Sequence, residues 1–341
     1  MDKEILVTVI CLTYNHEKYI RECIDGFVMQ KTNFAYEVII HDDASTDNTA
    51  EIIKQYQQQY PDIIIPILQT ENQYSKKVPI GKTFIYPRAR GKYIAFCEGD
   101  DYWIDQYKLQ KQVDFLENNS DYVLSHTSFQ YLIEYEGNRI QDFDSSSNIN
   151  IHQIDENNII AHILNYNEYR IQTATVLYRK NIFELIEKEK EIQNEPKFMM
   201  GDTPLWVRLC QHGKVHYNED ITTIYRQHIG SACRDNNKMK RLRFILSCSE
   251  MRVYFANLYN ILPKYTKKFE SAYKKDLFRY MLYDKTFTPI FKPHTNTLEK
   301  FLLYDLILSE PFLAIIKPIY EIFSLQRIKN ITKRIIKSFY K

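Results

Sequence analysis

Several familiar signatures are missing from this 341-residue chain. Six cysteines are scattered along it, and no Cys-x-x-Cys pair occurs. That fits a reduced, cytoplasmic protein better than a secreted disulfide scaffold. No Gly-x-Gly-x-x-Gly follows any apolar run, which argues against a dinucleotide-binding dehydrogenase. The run ending at Leu12 is too short and too β-branched for a signal peptide and reads as a strand. The most apolar late stretch, 301–323, is interrupted by Asp305, Glu310, Pro311, Lys317 and Pro318, so it should not span a bilayer. Net charge is only +2, so no global polyanion-binding signature exists and nucleic acid is not an expected partner.

What is present is an ordinary folding composition, with 44% hydrophobic and 26% charged residues. The first third alternates strand-like and helix-like segments. Val7 to Leu12, Glu37 to Ile40, Ile63 to Leu68 and Tyr93 to Cys97 read as strands. Between them, Ile20, Cys23, Ile24, Phe27 and Val28 have helical spacing within 17–30, as do Ala50, Ile53 and Tyr56 behind a Ser45 or Thr46 cap. Leu109, Val113 and Leu116 mark another helix, and Tyr122 to Ser125 another strand. This order predicts an α/β fold with a central, mostly parallel sheet flanked by helices. Residues 142–158 read as a loop, Thr173 to Tyr178 as β-like, and Asp202 to Cys210 as a helix stopped by Gly213. Val215 to Tyr217 and Thr222 to Tyr225 read as short strands. Beyond about Asn236 the pattern is helical and rich in Lys, Tyr and Phe, which predicts a boundary between 1–235 and a C-terminal helical region, 236–341.

Chemistry-bearing residues collect at the ends of these elements. Tyr93 to Cys97 stops abruptly in Glu98, Asp100 and Asp101. Carboxylates crowded at a strand's carboxyl end repel one another unless a cation neutralises them. Hard divalent ions such as Mg²⁺ or Mn²⁺ suit that oxygen set and usually bring phosphates. A polar loop after a strand is the plainer alternative. Leu12-Thr13-Tyr14-Asn15 follows the first strand and offers polar groups to a base or ribose, or simply turns the chain. His41-Asp42-Asp43-Ala44-Ser45-Thr46-Asp47-Asn48-Thr49 follows the second; Asp42 or Asp43 can accept from a base N–H or ribose hydroxyl while Ser45 to Asp47 cap a helix. Asp202 starts a Pro-containing helical turn, as a plain cap or as a general base for an acceptor hydroxyl. Arg226 and His228, in Tyr225-Arg226-Gln227-His228, are candidates for phosphate or metal contact. Tyr102, Trp103 and Trp206 are candidates for stacking on a sugar, with core packing the commoner fate.

Taken together, these clusters resemble glycosyltransferase family 2, whose members have the GT-A fold. Val9 to Asn15 resembles the family's opening strand and turn. Asp42-Asp43-Ala44-Ser45-Thr46-Asp47-Asn48-Thr49 resembles its Asp-Asp-Gly-Ser-Thr-Asp segment, with Ala44 where Gly is common. Gly91 through Asp101 resembles its Asp-x-Asp region, with Glu98 replacing the first Asp, and Gly201-Asp202 and Tyr225 to His228 are similar to its late motifs. The resemblance covers about 4–232 and implies a GT-A-type nucleotide-binding domain. It implies that Thr13 and Asp43, with Tyr14, Asn15 and Asp42 beside them, meet the nucleoside of a nucleotide-sugar donor, UDP-linked by preference. Asp100 would hold Mn²⁺ or Mg²⁺ on the pyrophosphate, with Glu98, Asp101 and His228 as further ligands. Asp202 would be the catalytic base of an inverting transfer to a glycan or lipid-linked saccharide, in bacterial surface polysaccharide synthesis. The family's usual basic element before Gly91 is unclear, leaving Lys82, Arg88 and Arg90 as phosphate candidates, with Arg88 the preferred one. The competing readings are a sugar-1-phosphate nucleotidyltransferase, disfavoured because no Gly-rich phosphate loop follows the first strand, and a non-catalytic nucleotide-sugar-binding protein. Finally, Arg327, Lys329, Lys333, Arg334, Lys337 and Lys341 alternate with Ile328, Ile331, Ile335 and Phe339 as a basic amphipathic helix would, which suits peripheral attachment to the cytoplasmic face of a membrane.

Overall fold

The computed structural model describes residues 4–135, 138–142, 158–165, 169–189, 195–228 and 237–283. Most of the 142–158 segment, all of the 301–323 stretch and the basic 327–341 segment lie outside the described residues. The chain divides into two compact units, one of residues 1–197 and 201–234, the other of 198–200 and 235–341.

The first unit is built on β1 (Ile5–Thr13), α1 (Ile20–Val28), β2 (Ala35–Asp42), α2 (Thr49–Gln59), β3 (Ile64–Leu68), β4 (Tyr93–Phe96), β5 (Tyr102–Trp103), α3 (Lys108–Asn118), β6 (Tyr122–Tyr135), β7 (Asn138–Asp142), α4 (Ile159–Leu164), β8 (Leu177–Arg179), α5 (Lys180–Ile186), α6 (Asp202–Leu209) and β9 (Lys214–Gln227). One sheet runs in the order β3-β2-β1-β4-β8-β6-β9-β5, with β7 paired to β6. β3, β2, β1 and β4 are mutually parallel; beyond them β8 runs antiparallel to β4 and β6, while β9 is parallel to β6. Parallel strands covered on both faces read as unbroken apolar runs rather than alternations. That is why Val7–Cys11 and Val38–Ile40 are buried without interruption. α1 lays Ile20, Cys23, Ile24 and Phe27 on this sheet, the i, i+3, i+4, i+7 stripe of an amphipathic helix.

One charged residue interrupts the apolar half. Glu37, in mid-β2, is wholly buried, and its carboxylate accepts from Thr8 Oγ1 (2.7 Å), Arg90 N (2.7 Å) and Arg90 Nε (2.7 Å). Such an ion is tolerated in the core only because its partners are complete. Thr8 Oγ1 accepts in turn from Gly91 N at 2.9 Å, and a Cβ on Gly91 would lie 2.4 Å from Thr8 N. The chain therefore enters β4 pressed against β1.

Several local readings change in the folded chain. Thr173–Thr175 is a 3-10 turn, and the strand begins at Leu177. The two short strands expected within 215–225 are one, β9, because β6 keeps pairing with it through irregular register across the polar Asn218-Glu219-Asp220 run. β5, α4 and α5 are too short to announce themselves by periodicity.

The second unit contributes α7 (Lys238–Leu258) and α8 (Pro263–Tyr283), which pack together as a helical hairpin.

Candidate active site

β1 pairs with β2 on one side and β4 on the other, so the strand order reverses between β1 and β4. In open α/β sheets ligands bind at the carboxyl ends of strands flanking such a reversal. Here those ends are Thr13 to His16 and Cys97 to Asp101. The pairing persists past β4: Cys97 N donates to Ile10 O (3.1 Å) and Gly99 N to Leu12 O (2.9 Å), before a tight turn in which Asp101 N donates to Glu98 O (3.0 Å). Glycine is needed at 99 because a Cβ there would meet Thr13 Oγ1 at 2.7 Å and His16 Nδ1 at 2.9 Å. The acidic turn is thus held against the end of β1.

Each acid of the turn has a different environment. Asp100 Oδ2 lies 3.1 Å from His228 Nε2. Burial opposes its ionisation, yet the His228 hydrogen bond and the His16 and His228 charges outweigh that and hold its carboxyl below the ordinary range. Glu98 is half-buried, and its Oε2, itself shielded from solvent, has no hydrogen-bond partner. Burial first, then repulsion from Asp100 and Asp202, push its pKa up to about 8. Asp101 points inward, 2% exposed, and its Oδ1 accepts from Arg226 N at 2.8 Å. Burial and the neighbouring Asp100 and Glu98 push its carboxyl well above the usual range. Asp101 therefore ties the turn to β9, a job that its placement among the metal-ligand candidates did not anticipate.

Arg226 does not reach a phosphate. Its side chain is completely buried, its guanidinium donating to Asp100 O (2.7 Å) and Glu22, with Nε 3.4 Å from Glu134 Oε1. Tyr19 and Tyr102 sandwich it at 4.5 and 5.2 Å from their ring centroids. It is an internal countercharge beneath an acid-rich cleft. Trp103 and Trp206 are core residues, 2% and 1% exposed; Trp103 packs edge-on against Phe27 and donates Nε1 to Ala174 O at 2.7 Å.

Asp202 opens α6, where a carboxylate favours the helix dipole. Its Oδ1 accepts from Thr203 N (2.7 Å) and its Oδ2 from Thr173 Oγ1 (2.8 Å). Oδ1 also accepts from Thr203 Oγ1 at 3.5 Å, while Oδ2 keeps a lone-pair direction for another donor. Because Asp202 raises the Glu98 pKa, its charge is felt inside the acidic turn, although the two lie more than 100 positions apart in sequence.

The remaining candidates divide. Thr13 Oγ1 is buried without a partner, and Tyr14 is 45% exposed. Asn15, at φ 56°, accepts from Thr46 N through Oδ1 (2.8 Å), while its own N–H donates to Ser45 Oγ (2.8 Å). Asn15 thereby stitches the β1 and β2 loops together. Asp42 accepts from Ser45 N (3.1 Å) and Ser45 Oγ; Asp43 accepts from Gln73 N (2.7 Å) and Tyr74 N (3.0 Å). These two acids shape the loops around the β2 end, and both are buried. Arg90 is committed to Glu37 and Lys82 pairs with Glu187. Arg88 is exposed and donates to Phe84 O at 2.7 Å.

Sequence reasoning passed over His16, Thr173, Glu22, Tyr19 and Glu134. His16 is the most consequential: burial lowers its pKa, Asp100 opposes that shift, and its ring is 6.4 Å from that of His228, so two imidazoles act on Asp100. Its place right after Asn15, at the end of the first strand, is the one signal that marks it.

Among the described residues no three His, Cys, Asp or Glu side chains converge as a closed metal-binding group. Asp100 with His228 beside it offers a two-donor partial set for a divalent cation, and Glu98, in the same turn, carries a buried oxygen without a partner. Mg²⁺-type ions are commonly held by one or two carboxylates, with phosphate and water oxygens filling the other positions.

Comparison with known proteins now places the chain. The family model for glycosyl transferase family 2 matches residues 8–186, just over half of it. The chain belongs to glycosyltransferase family 2. Rv1520, an uncharacterised Mycobacterium tuberculosis protein, is 32% identical over 65% of this chain and 59% of its own length. The chain thus spans less than two thirds of that relative. An Escherichia coli protein, WfaP, named as a UDP-Glc:alpha-D-GlcNAc-diphosphoundecaprenol beta-1,3-glucosyltransferase, is 30% identical over 70% of this chain and 82% of its own. The fold is also that of Staphylococcus aureus TarS residues 1–349, solved with UDP-GlcNAc, at TM-score 0.50, 16% identity and coverage of 89% and 80%.

Proposed function

We propose that this chain is an inverting glycosyltransferase that moves a sugar from a UDP-linked donor to a hydroxyl of a glycan or lipid-linked acceptor in the assembly of a bacterial surface polysaccharide. The observation that supports this reading best is the Glu98–Asp101 turn at the sheet's strand-order reversal, with Asp202 among the charges that raise the Glu98 pKa. The name of WfaP, which specifies a UDP-glucose donor and a diphosphoundecaprenol-linked acceptor, supports the choice of donor and acceptor class.

In this reading Asp100, Glu98 and His228 hold a Mn²⁺ or Mg²⁺ ion that neutralises charge on the departing nucleoside diphosphate. Thr13, with its unpartnered hydroxyl, and exposed Tyr14 face the nucleoside. Asn15, Asp42 and Asp43 fix the loops that form the rest of that wall. Asp202, oriented by Thr173 and by the Thr203 N–H, takes the proton from the acceptor hydroxyl as it attacks the anomeric carbon from the face opposite the leaving group. A single displacement of this kind inverts the anomeric centre. Attachment to the cytoplasmic membrane surface through the basic 327–341 segment belongs to the same proposal.

Calorimetric titration of UDP into the full chain, with Mn²⁺ or with excess EDTA, tests it. Binding should require the metal and be lost in Asp100→Asn. Equal affinity in EDTA, or in the variant, would remove the metal-donor site.

A further inference from the structure

The charge of this chain is strongly segregated. Residues 237–283 carry eleven Lys and Arg against three Asp and Glu, a net +8 in a chain whose total is +2. α8 organises that charge. Tyr265, Phe269, Tyr273 and Leu277 recur every four residues and are 2–7% exposed, so they form the face packed inward. At about 100° per residue, Lys264, Lys267, Lys268, Ser271, Lys275 and Arg279 fall within an arc of about 120° on the opposite side. All six are exposed, and the arc holds no acid. The two acids of α8 sit on its flanks: Asp276 accepts from Ser249 Oγ at 2.5 Å and pairs with Arg279 at 3.6 Å, which leaves the four lysines as the stripe's main charge, and Glu270 is half-buried. The hairpin turn beside this stripe exposes two leucines, Leu258 and Leu262, each 41% accessible. At the other end of the hairpin, the first turn and a half of α7 exposes Lys238, Lys240, Arg241 and Arg243.

We infer that the solvent face of α8 is an adsorption surface for an anionic lipid bilayer. A straight row of cations about 22 Å long, from Lys264 to Arg279, matches a planar field of headgroup phosphates. Four of the five are lysines, strongly hydrated point charges suited to diffuse attraction rather than to forked recognition of individual groups. The exposed leucines at the turn supply an apolar foothold that a nucleic acid would not use. The apolar face of α8 is already spent on packing, so the contact is electrostatic and superficial, and no helix among the described residues is long and apolar enough to cross a membrane. This inference rests on residues 237–283 alone and does not depend on the transferase reading.

The test is co-sedimentation of the full chain with phosphatidylcholine vesicles, alone or containing phosphatidylglycerol. The comparison variants replace Lys264, Lys267, Lys268 and Lys275 together, by Glu in one and by Gln in the other. The full chain should pellet only with phosphatidylglycerol vesicles and be released by raised salt. Both variants should bind those vesicles at least tenfold more weakly, the Glu variant most, with melting temperature and UDP affinity unchanged. If the Glu variant melts early, the Gln variant decides. Undiminished pelleting of the variants, equal recovery with phosphatidylcholine alone, no pelleting at all, or displacement from vesicles by single-stranded DNA at equimolar charge would overturn the inference.

Discussion

Replacing Arg226 by Gln removes the buried guanidinium that donates to the acidic turn. Glu22, Glu134 and the Asp100 carbonyl lose their shared partner, and Tyr19 and Tyr102 lose the cation between their rings. Stripping one partner from a buried ion pair costs about 3–5 kcal/mol. Glu22 is 38% exposed and Glu134 17%, so water recovers part of that. The two ring contacts are each worth about 0.5–1 kcal/mol. Gln can still donate to one of the three acceptors. The net loss is about 3 kcal/mol, which for a unit of this size lowers the melting temperature by about 6–12 °C. Arg226→Lys keeps the charge but cannot span all three acceptors, and should lose about half as much. Thermal unfolding followed by circular dichroism reads both. A fall of less than about 2 °C for Arg226→Gln would show that the guanidinium does not hold the turn, and would reopen Arg226 as a ligand for phosphate.

Two further perturbations follow from the same geometry. Ala44 sits at φ 61°, in the left-handed region that costs a side-chain-bearing residue about 1–2 kcal/mol; after the entropy that glycine adds to the unfolded chain, Ala44→Gly should stabilise by up to about 1 kcal/mol, and a lowered melting temperature would contradict this. Glu98 has a folded pKa of about 8 against an ordinary 4.5, so the fold keeps a proton that the unfolded chain releases between those values. Stability in EDTA should therefore decline as pH rises from about 5 to 8, by a few kcal/mol at most, and Glu98→Gln should flatten the decline; a parallel pH profile for the two proteins would refute the protonated Glu98.

The parallel half of the sheet was legible because strands buried on both faces are largely apolar, and β1 to β4 are apart from Thr8, Glu37 and the polar strand ends. The helices over it were legible because α1 and α3 each need one apolar stripe. The far half was harder: β5 has two residues, and β8 and β9 find their places through pairing with β4, β5 and β6, more than 50 positions away in sequence. Among the site residues, Glu98, Asp100, Asp101, His228 and Asp202 were visible as chemistry at the ends of elements, and the fold places each one. What each carboxylate does there was not visible, because that depends on burial and on partners distant in sequence. Asp101 is turned inward by the Arg226 N–H, and Arg226 is taken from solvent by two tyrosines. The Asp42–Asp43 pair shows the same limit, since loop residues 73 and 74 claim the Asp43 oxygens.

The most direct measurement is the rate at which Asp202→Asn transfers sugar from its metal-bound nucleotide donor to an acceptor, taken alongside donor affinity and melting temperature. The proposed base, oriented by Thr173, predicts near-normal affinity and stability with transfer slowed by about 10²–10⁴. Transfer by the variant at close to the parent rate would contradict the account.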